Sequence, residues 1–294
     1  MTINPYRGRF APSPTGNPHL GTLIAAVASY LQARSNNGEW LVRIEDVDTL
    51  RRVPGADDMM LRTLEKFGFE WDEAVVWQSR RTGLYQQALQ QLIDEERVFP
   101  CTCSRKLLAQ TAAELSGIYP GTCRSGKFPL QHEHAIRMRA ADITIGFDDA
   151  IAGEYRQSLA SECGDFVVRR RDGLFAYQLA VVVDDALQGI TEVVRGADLL
   201  DSTPRQIYLQ RCLNYGQPHY LHVPLMLDQH GRKLSKSEGA AELNPDRPAK
   251  SLYTALKHLG QQPPADLEHA TPADIWQWAV ENWDSGKIPT PTGA

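Results

Sequence analysis

Two lysines in Lys233-Leu234-Ser235-Lys236-Ser237 and a histidine in Pro12-Ser13-Pro14-Thr15-Gly16-Asn17-Pro18-His19-Leu20-Gly21 are the residues here best suited to handle a nucleotide. Joining a carboxylic acid to an amine or hydroxyl requires a leaving group on the acid. ATP supplies one when a carboxylate oxygen attacks its α-phosphate and pyrophosphate departs. The protein's share of that reaction is positioning and charge stabilisation. It needs a turn that lets backbone approach the nucleotide, donors at a helix N-terminus, and mobile cations for the pyrophosphate. Gly16 and Gly21 give close approach, and amides opening a helix at Leu20 favour anions. His19 can hydrogen-bond phosphate oxygens there. Lys233 and Lys236 stand in a Gly/Ser loop, preceded by Gly231, that can close over a triphosphate. Singly, each has an ordinary reading as a helix-start histidine or a solvated lysine; their pairing in one chain carries the signal.

A second cluster is Cys101-Thr102-Cys103 followed by Cys123. In a reducing compartment, clustered cysteines are more often metal ligands than disulfides. The spacing departs from Cys-x-x-Cys, and three thiolates need a fourth ligand. On chemistry alone His132 and His134 compete for that place. Cys163 and Cys212 read as isolated, buried thiols.

The elements that must position these residues follow from periodicity. Residues 6–11 read as a strand ending in the Pro/Gly-rich turn. Leu20, Leu23, Ile24, Val27, Tyr30 and Leu31 recur at helical spacing to about Arg34. Asn36-Asn37-Gly38 breaks the helix, and residues 40–44 return as a strand, completing a right-handed crossover unit of a parallel sheet. A second helix is predicted around Leu61, Leu64 and Phe67, a third strand at residues 75–77, and another helix over 85–93. From Val98 to about Leu130 the pattern dissolves into Cys, Ser, Gly and Pro, which suggests a small stapled insertion. Strand-like stretches follow at 135–139 and 166–169. Residues 179–183 are apolar but too few to assign by period. Further strands are predicted at 189–194 and 222–227. Ser202-Thr203-Pro204 opens a helix with a cap and proline, and helices over 248–259 and 271–283 close the chain.

The chain has 294 residues, 42% hydrophobic and 23% charged, which is ordinary for a globular enzyme. It shows no apolar run long enough to span a membrane, and its start lacks a signal peptide's apolar stretch, so cytoplasmic residence is the default. A formal net charge of −5 argues against a protein that coats nucleic acid non-specifically. A local basic face can still hold phosphates, and Arg51-Arg52, Arg80-Arg81 and Arg169-Arg170-Arg171 are candidates.

Together the first and last motifs resemble the nucleotide-handling pair of class I aminoacyl-tRNA synthetases. Four stretches resemble the glutamyl branch of that class. They are Arg9 to Gly16, Arg43-Ile44-Glu45-Asp46, Tyr177 to Asp185, and Arg195-Gly196-Ala197-Asp198. The likeness spans roughly residues 6 to 240. It implies an α/β fold with a Rossmann-like parallel sheet, a small zinc-binding insertion and a short helical C-terminal part. The implied division is residues 1–97 and 131–240 as two halves of the catalytic domain, 98–130 as the insertion, and 241–294 as the helical end. One departure is Thr22, where the class usually has histidine or glycine; its hydroxyl can still donate to phosphate.

The resemblance also implies site roles. Catalytic residues would be His19, Lys233 and Lys236, with ATP held by Pro12, Gly16, His19, Gly21, Thr22, Lys233, Ser235 and Lys236. Glutamate would be held by Arg9, Ala11, Ser13, Glu45, Tyr177 and Arg195. The chemistry agrees: glutamate carries two carboxylates and one ammonium, so its pocket wants arginine forks for the side chain and an anion for the ammonium. Zinc would be held by Cys101, Cys103, Tyr119 and Cys123, and magnesium would accompany ATP. Little sequence follows Ser237, which leads us to expect no anticodon-reading domain. That expectation points to a specialised branch of the family that transfers glutamate to the queuosine base in the anticodon of tRNA(Asp), acting as a monomer. A minimal enzyme charging a tRNA 3′ end, and a non-catalytic sensor of glutamate or ATP, are the rivals.

Overall fold

The computed structural model describes residues 5–104, 106–108, 118–126, 134–227 and 243–291. Strand β1 (Arg7–Phe10) leads into helix α1 (Leu20–Ser35), and β2 (Glu39–Ile44) returns parallel to β1 with Arg9 opposite Leu41. After α2 (Ala56–Lys66) comes β3 (Val76–Trp77), parallel to β2, and then α3 (Thr82–Asp94). Helix α1 ends where predicted, because Asn37 takes a positive φ of 51° and the Gly38 amide turns back to the Ala33 carbonyl.

A second parallel group holds β9 (Glu192–Gly196) beside β10 (His219–Val223), with β6 (Thr144–Asp149) on the far side of β10. Strand β7 (Gly153–Ser158) forms an antiparallel hairpin with β6. The two groups meet at β1 and β9, where the Thr191 amide donates to the Arg7 carbonyl at 2.9 Å. The sheet therefore runs β3-β2-β1 one way from that junction and β9-β10-β6 the other. Helices α4 (Tyr177–Leu187), α5 (Thr203–Cys212), α6 (Pro248–His258) and α7 (Pro272–Asn282) complete the layers.

Alternating side chains divide the core between the two faces of the sheet. Leu41, Val193 and Tyr220 pack with α3, α4 and α5, whereas Trp40, Val42, Val194 and Leu221 pack with α1, α6 and α7. Trp276 of α7 donates to the Phe67 carbonyl at 2.8 Å and stacks edgewise against Tyr30. Thr271 and Asp274 form a reciprocal cap on α7.

Several elements differ from the sequence expectation. Residues 177–187 form a helix whose apolar residues face inward nearly all round, which erases the helical period. The strand expected at 189–194 is shifted to Glu192–Gly196, because the Gly189 and Ile190 amides turn back to Ala186 and Asp185 to end α4. The last strand ends at Val223, since Pro224 has no amide for a ladder. Ser202 occupies the N-cap of α5 with proline in the first turn, as expected, but its side chain makes no cap bond; a 3₁₀ turn over Ala197–Ser202 runs into the helix, and the Ser202 hydroxyl accepts from Gln178. The β6–β7 hairpin was not foreseen.

A separate antiparallel sheet pairs β4 (Val98–Cys101) with β5 (Ala135–Met138), and β5 with β8 (Phe166–Arg169). It draws on residues from both sides of position 130 and presents the cysteine cluster at the end of β4.

Candidate functional site

In parallel α/β sheets, the crevice at the carboxyl ends of the strands where strand order reverses is the usual ligand site. Here that point lies between β1 and β9. It opens into a cavity of about 750 Å³ bounded by the turn after β1, the start of α1, and the ends of β9 and β10. Among its lining are Arg9, Ala11, Pro12, Ser13, Gly16, His19, Gly21, Thr22, Glu45, Tyr177 and Arg195. Every described residue expected from sequence to hold glutamate or ATP thus meets in one place. Lys233, Ser235 and Lys236 lie outside the described residues.

At the nucleotide end, His19 is the N-cap of α1, and its Nδ1 accepts from the Thr22 amide at 3.3 Å. A neutral imidazole whose Nδ1 accepts must carry its proton on Nε2. The cap therefore sets the tautomer that can donate to a phosphate oxygen. Gly21 makes room for this ring: a Cβ there would sit 3.2 Å from His19 Cε1 and Nδ1. Gly16 holds φ at 128°, a conformation that needs glycine in the approach turn.

At the other end lies a network of buried charge. Arg9 donates from Nε and Nη2 to the two oxygens of Asp185, at 3.1 and 3.4 Å. Arg43 reaches Asp185 at 2.8 Å and Glu45 at 3.3 Å. Burial raises the Glu45 carboxyl above its usual value, and Arg43 and Arg9 only partly pull it back. Arg195 differs. It donates to His222 Nε2 at 3.0 Å, Gln206 Oε1 at 2.8 Å and Thr203 Oγ1 at 2.7 Å. Longer contacts of 3.4 Å reach the Tyr177 hydroxyl and the Leu199 carbonyl. All these acceptors are neutral, and among the described residues no carboxylate pairs with this buried guanidinium. A buried cation without a counter-charge is expensive, so Arg195 is chemically suited to pair with an anion entering the cavity.

Sequence reasoning missed several residues at this cavity. Asn17, Asp198 and Arg51 line it, the first two inside motifs already singled out and the third in an arginine pair. Asp185, His222 and Asp149 stand behind it. The arginine runs proved to be largely paired within the chain: Arg51 and Arg170 share Asp48, Arg52 meets Asp57, and Arg81 meets Asp184.

The thiols of Cys101, Cys103 and Cys123 lie within 4.8 Å of one another. The Cys103 and Cys123 sulfurs are 3.5 Å apart, close to the edge of about 3.7 Å expected for a tetrahedron with zinc–sulfur bonds of about 2.3 Å. The Tyr119 hydroxyl lies 3.4 Å from Cys101 Sγ and 3.7 Å from Cys103 Sγ. Burial opposes ionisation of Cys123, but the Tyr119 and Thr102 donors outweigh it and bring the thiol down to about 6. The donor set fits a soft tetrahedral cation. Among the described residues His134 does not join this group; His132 lies outside them.

The comparisons fall in line with this geometry. Residues 6–282 match the family model for the catalytic domain of class I tRNA synthetases, E and Q. The chain belongs to that family, whose members are ATP-using ligases. A relative from Ectopseudomonas mendocina named glutamyl-Q tRNA(Asp) synthetase is 54% identical over 284 residues, covering 97% of this chain and 95% of that protein. A protein of the same name from Dechloromonas aromatica is 53% identical, covering 97% and 96%. The solved glutamate tRNA ligase of Elizabethkingia meningosepticum, in complex with its amino acid, superposes with a TM-score of 0.81 at 26% identity. That match covers 98% of this chain and 66% of the ligase chain.

Proposed function

We propose that this chain activates L-glutamate with ATP to glutamyl-adenylate and transfers the glutamyl group to the queuosine base in the anticodon of tRNA(Asp). The observation that carries glutamate activation is the buried Arg195 guanidinium, surrounded by neutral acceptors at the switch-point cavity. The acceptor base is drawn from relatives identical over half their positions and nearly full length.

In this reading Arg195, helped by Tyr177, takes the side-chain carboxylate of glutamate, and Glu45 takes the ammonium. Arg9, held by Asp185, walls the same pocket, while Ser13 and the Ala11 backbone line it. His19 Nε2–H, the turn of Pro12 and Gly16, the α1 amide of Gly21 and the Thr22 hydroxyl hold the phosphates. Lys233, Ser235 and Lys236 are assigned to the departing pyrophosphate on sequence alone. Magnesium would neutralise the triphosphate. Zinc would be held by Cys101, Cys103, Cys123 and Tyr119 as a structural ion bracing the small sheet, apart from the chemistry. The partners are then tRNA(Asp) carrying queuosine, glutamate and ATP. Monomer is the default state in this reading. Cytoplasmic residence suits these substrates and the reduced thiols; no described helix is long and apolar enough to cross a membrane.

The test is glutamate-dependent exchange of pyrophosphate into ATP without tRNA. We expect exchange with glutamate and little with glutamine. No exchange by folded protein would overturn the reading. The likeness to a glutamate tRNA ligase supports a second reading, charging of a tRNA 3′ end, which mapping of labelled glutamate on the tRNA separates from the first.

A further inference from the structure

Behind Arg195 stand two linked groups, Asp149 and His222, that the proposed chemistry does not use. The Asp149 carboxylate accepts from the Ile151, Ala152 and His222 amides through Oδ1, at 3.0, 2.8 and 3.2 Å. Its Oδ2 takes a short bond of 2.6 Å from His222 Nδ1. His222 Nε2 in turn accepts from Arg195 Nε at 3.0 Å. Both Asp149 and His222 are fully buried.

Each bond fixes the next. Burial opposes charge on Asp149, yet the His222 and amide donors outweigh it and hold the carboxyl below its usual range. An ionised Asp149 only accepts, so His222 must carry its proton on Nδ1 and offer a lone pair at Nε2. That lone pair is what the Arg195 Nε–H requires. Burial also pushes the His222 pKa below the ordinary histidine value, against the pull of Asp149, so the imidazole stays neutral. The imidazole is a spacer. It holds the guanidinium by its inner nitrogen while keeping the nearest carboxylate out of contact with it. The longest Arg195 bonds, at 3.4 Å, lie one on each terminal nitrogen, where a substrate carboxylate would bind. Were a carboxylate in His222's place, the charge would be cancelled inside the protein, and a neutral amide side chain would be as welcome as an acid.

We propose that His222, oriented by Asp149, is a positioning and specificity-determining residue that aims Arg195 at the substrate's side-chain carboxylate and leaves its charge unspent for it. This rests on the assignment of glutamate to the Arg195 pocket.

Two substitutions separate the links. His222→Asn can keep the bond to Asp149 but has no acceptor long enough for Arg195. His222→Gln can present a neutral acceptor where Nε2 stood. Losing a hydrogen bond to a charged group corresponds to about 10- to 100-fold in affinity. In pyrophosphate exchange we expect His222→Asn to raise the glutamate KM by about that factor. Its kcat at saturating glutamate and its ATP KM should stay within about twofold, and its preference for glutamate over glutamine should fall. His222→Gln should recover most of the loss. Asp149→Asn, which keeps the Oδ1 acceptor but turns a donor toward Nδ1, should force the other tautomer and reproduce His222→Asn, giving a second test if that variant does not fold. A glutamate KM unchanged in both folded variants would overturn the proposal. So would a parallel rise in glutamate and ATP KM that His222→Gln does not rescue. A wild-type chain with no glutamate-dependent exchange would instead sink the glutamate assignment itself.

Discussion

Arg9 and Asp185 form a two-pronged buried pair, with Nε and Nη2 meeting the two carboxylate oxygens at 3.1 and 3.4 Å. The pair joins β1 to α4, and Arg43 of β2 adds a bond of 2.8 Å to the same carboxylate. Both arginines are therefore already compensated by protein, in contrast to Arg195.

Removing Asp185 would leave two buried guanidinia short of a counter-charge. We expect Asp185→Ala to lower unfolding stability in urea by about 3–5 kcal/mol, the range for one partner lost from a buried pair. A loss below about 1 kcal/mol would show that Asp184 and Glu45 suffice.

His19 combines a cap with a proposed phosphate donor, and asparagine can keep the first without the second. His19→Asn should hold its stability while pyrophosphate exchange falls about 10²- to 10³-fold, as for loss of an electrostatic donor in other enzymes. His19→Ala should lose about 0.5–2 kcal/mol of stability as well. Full exchange by folded His19→Asn would remove His19 from the chemistry.

The pH dependence of glutamate binding should report Glu45. Its carboxyl is raised by burial, and only the ionised form attracts an ammonium. Protonation competes with substrate, so the glutamate KM should climb as pH falls through the raised Glu45 pKa, in a window above the ordinary 4.5, and level off toward neutrality. Glu45→Gln should have a high KM at neutral pH and lose this acid limb. Kinetics from about pH 5 to 8 decide it; an acid limb unchanged in Glu45→Gln assigns it elsewhere.

If the thiol cluster holds zinc, protein purified without chelator should carry about one zinc per chain, by elemental analysis. Cys103→Ser should lose the metal and loosen the sheet of β4, β5 and β8, detectable as faster amide exchange there. Metal-free wild-type protein would contradict the assignment.

What could be read from sequence depended on how local the signal was. Helix α1 was legible because its apolar residues recur at one period and Asn37-Gly38 marks its end. The β6–β7 hairpin was not, since β6 buries only Ile145, Phe147 and Asp149, with Gly146 and Asp148 between them. Arg9, Glu45, Tyr177 and Arg195 were named from motifs, and the fold gathers them. Their supports were invisible: His222 lies 27 residues from Arg195 and 73 from Asp149 in sequence. Only the parallel pairing of β9, β10 and β6 brings those positions together.

The destination of the glutamyl group decides between the queuosine base and a tRNA 3′ end as acceptor. The chain is incubated with ATP, labelled glutamate and tRNA from queuosine-proficient cells, and the label is mapped by nuclease digestion. We expect label in the anticodon-loop fragment of tRNA(Asp), and none on tRNA lacking queuosine. Label on a 3′-terminal adenosine would contradict the account and make the chain a minimal glutamyl-tRNA synthetase.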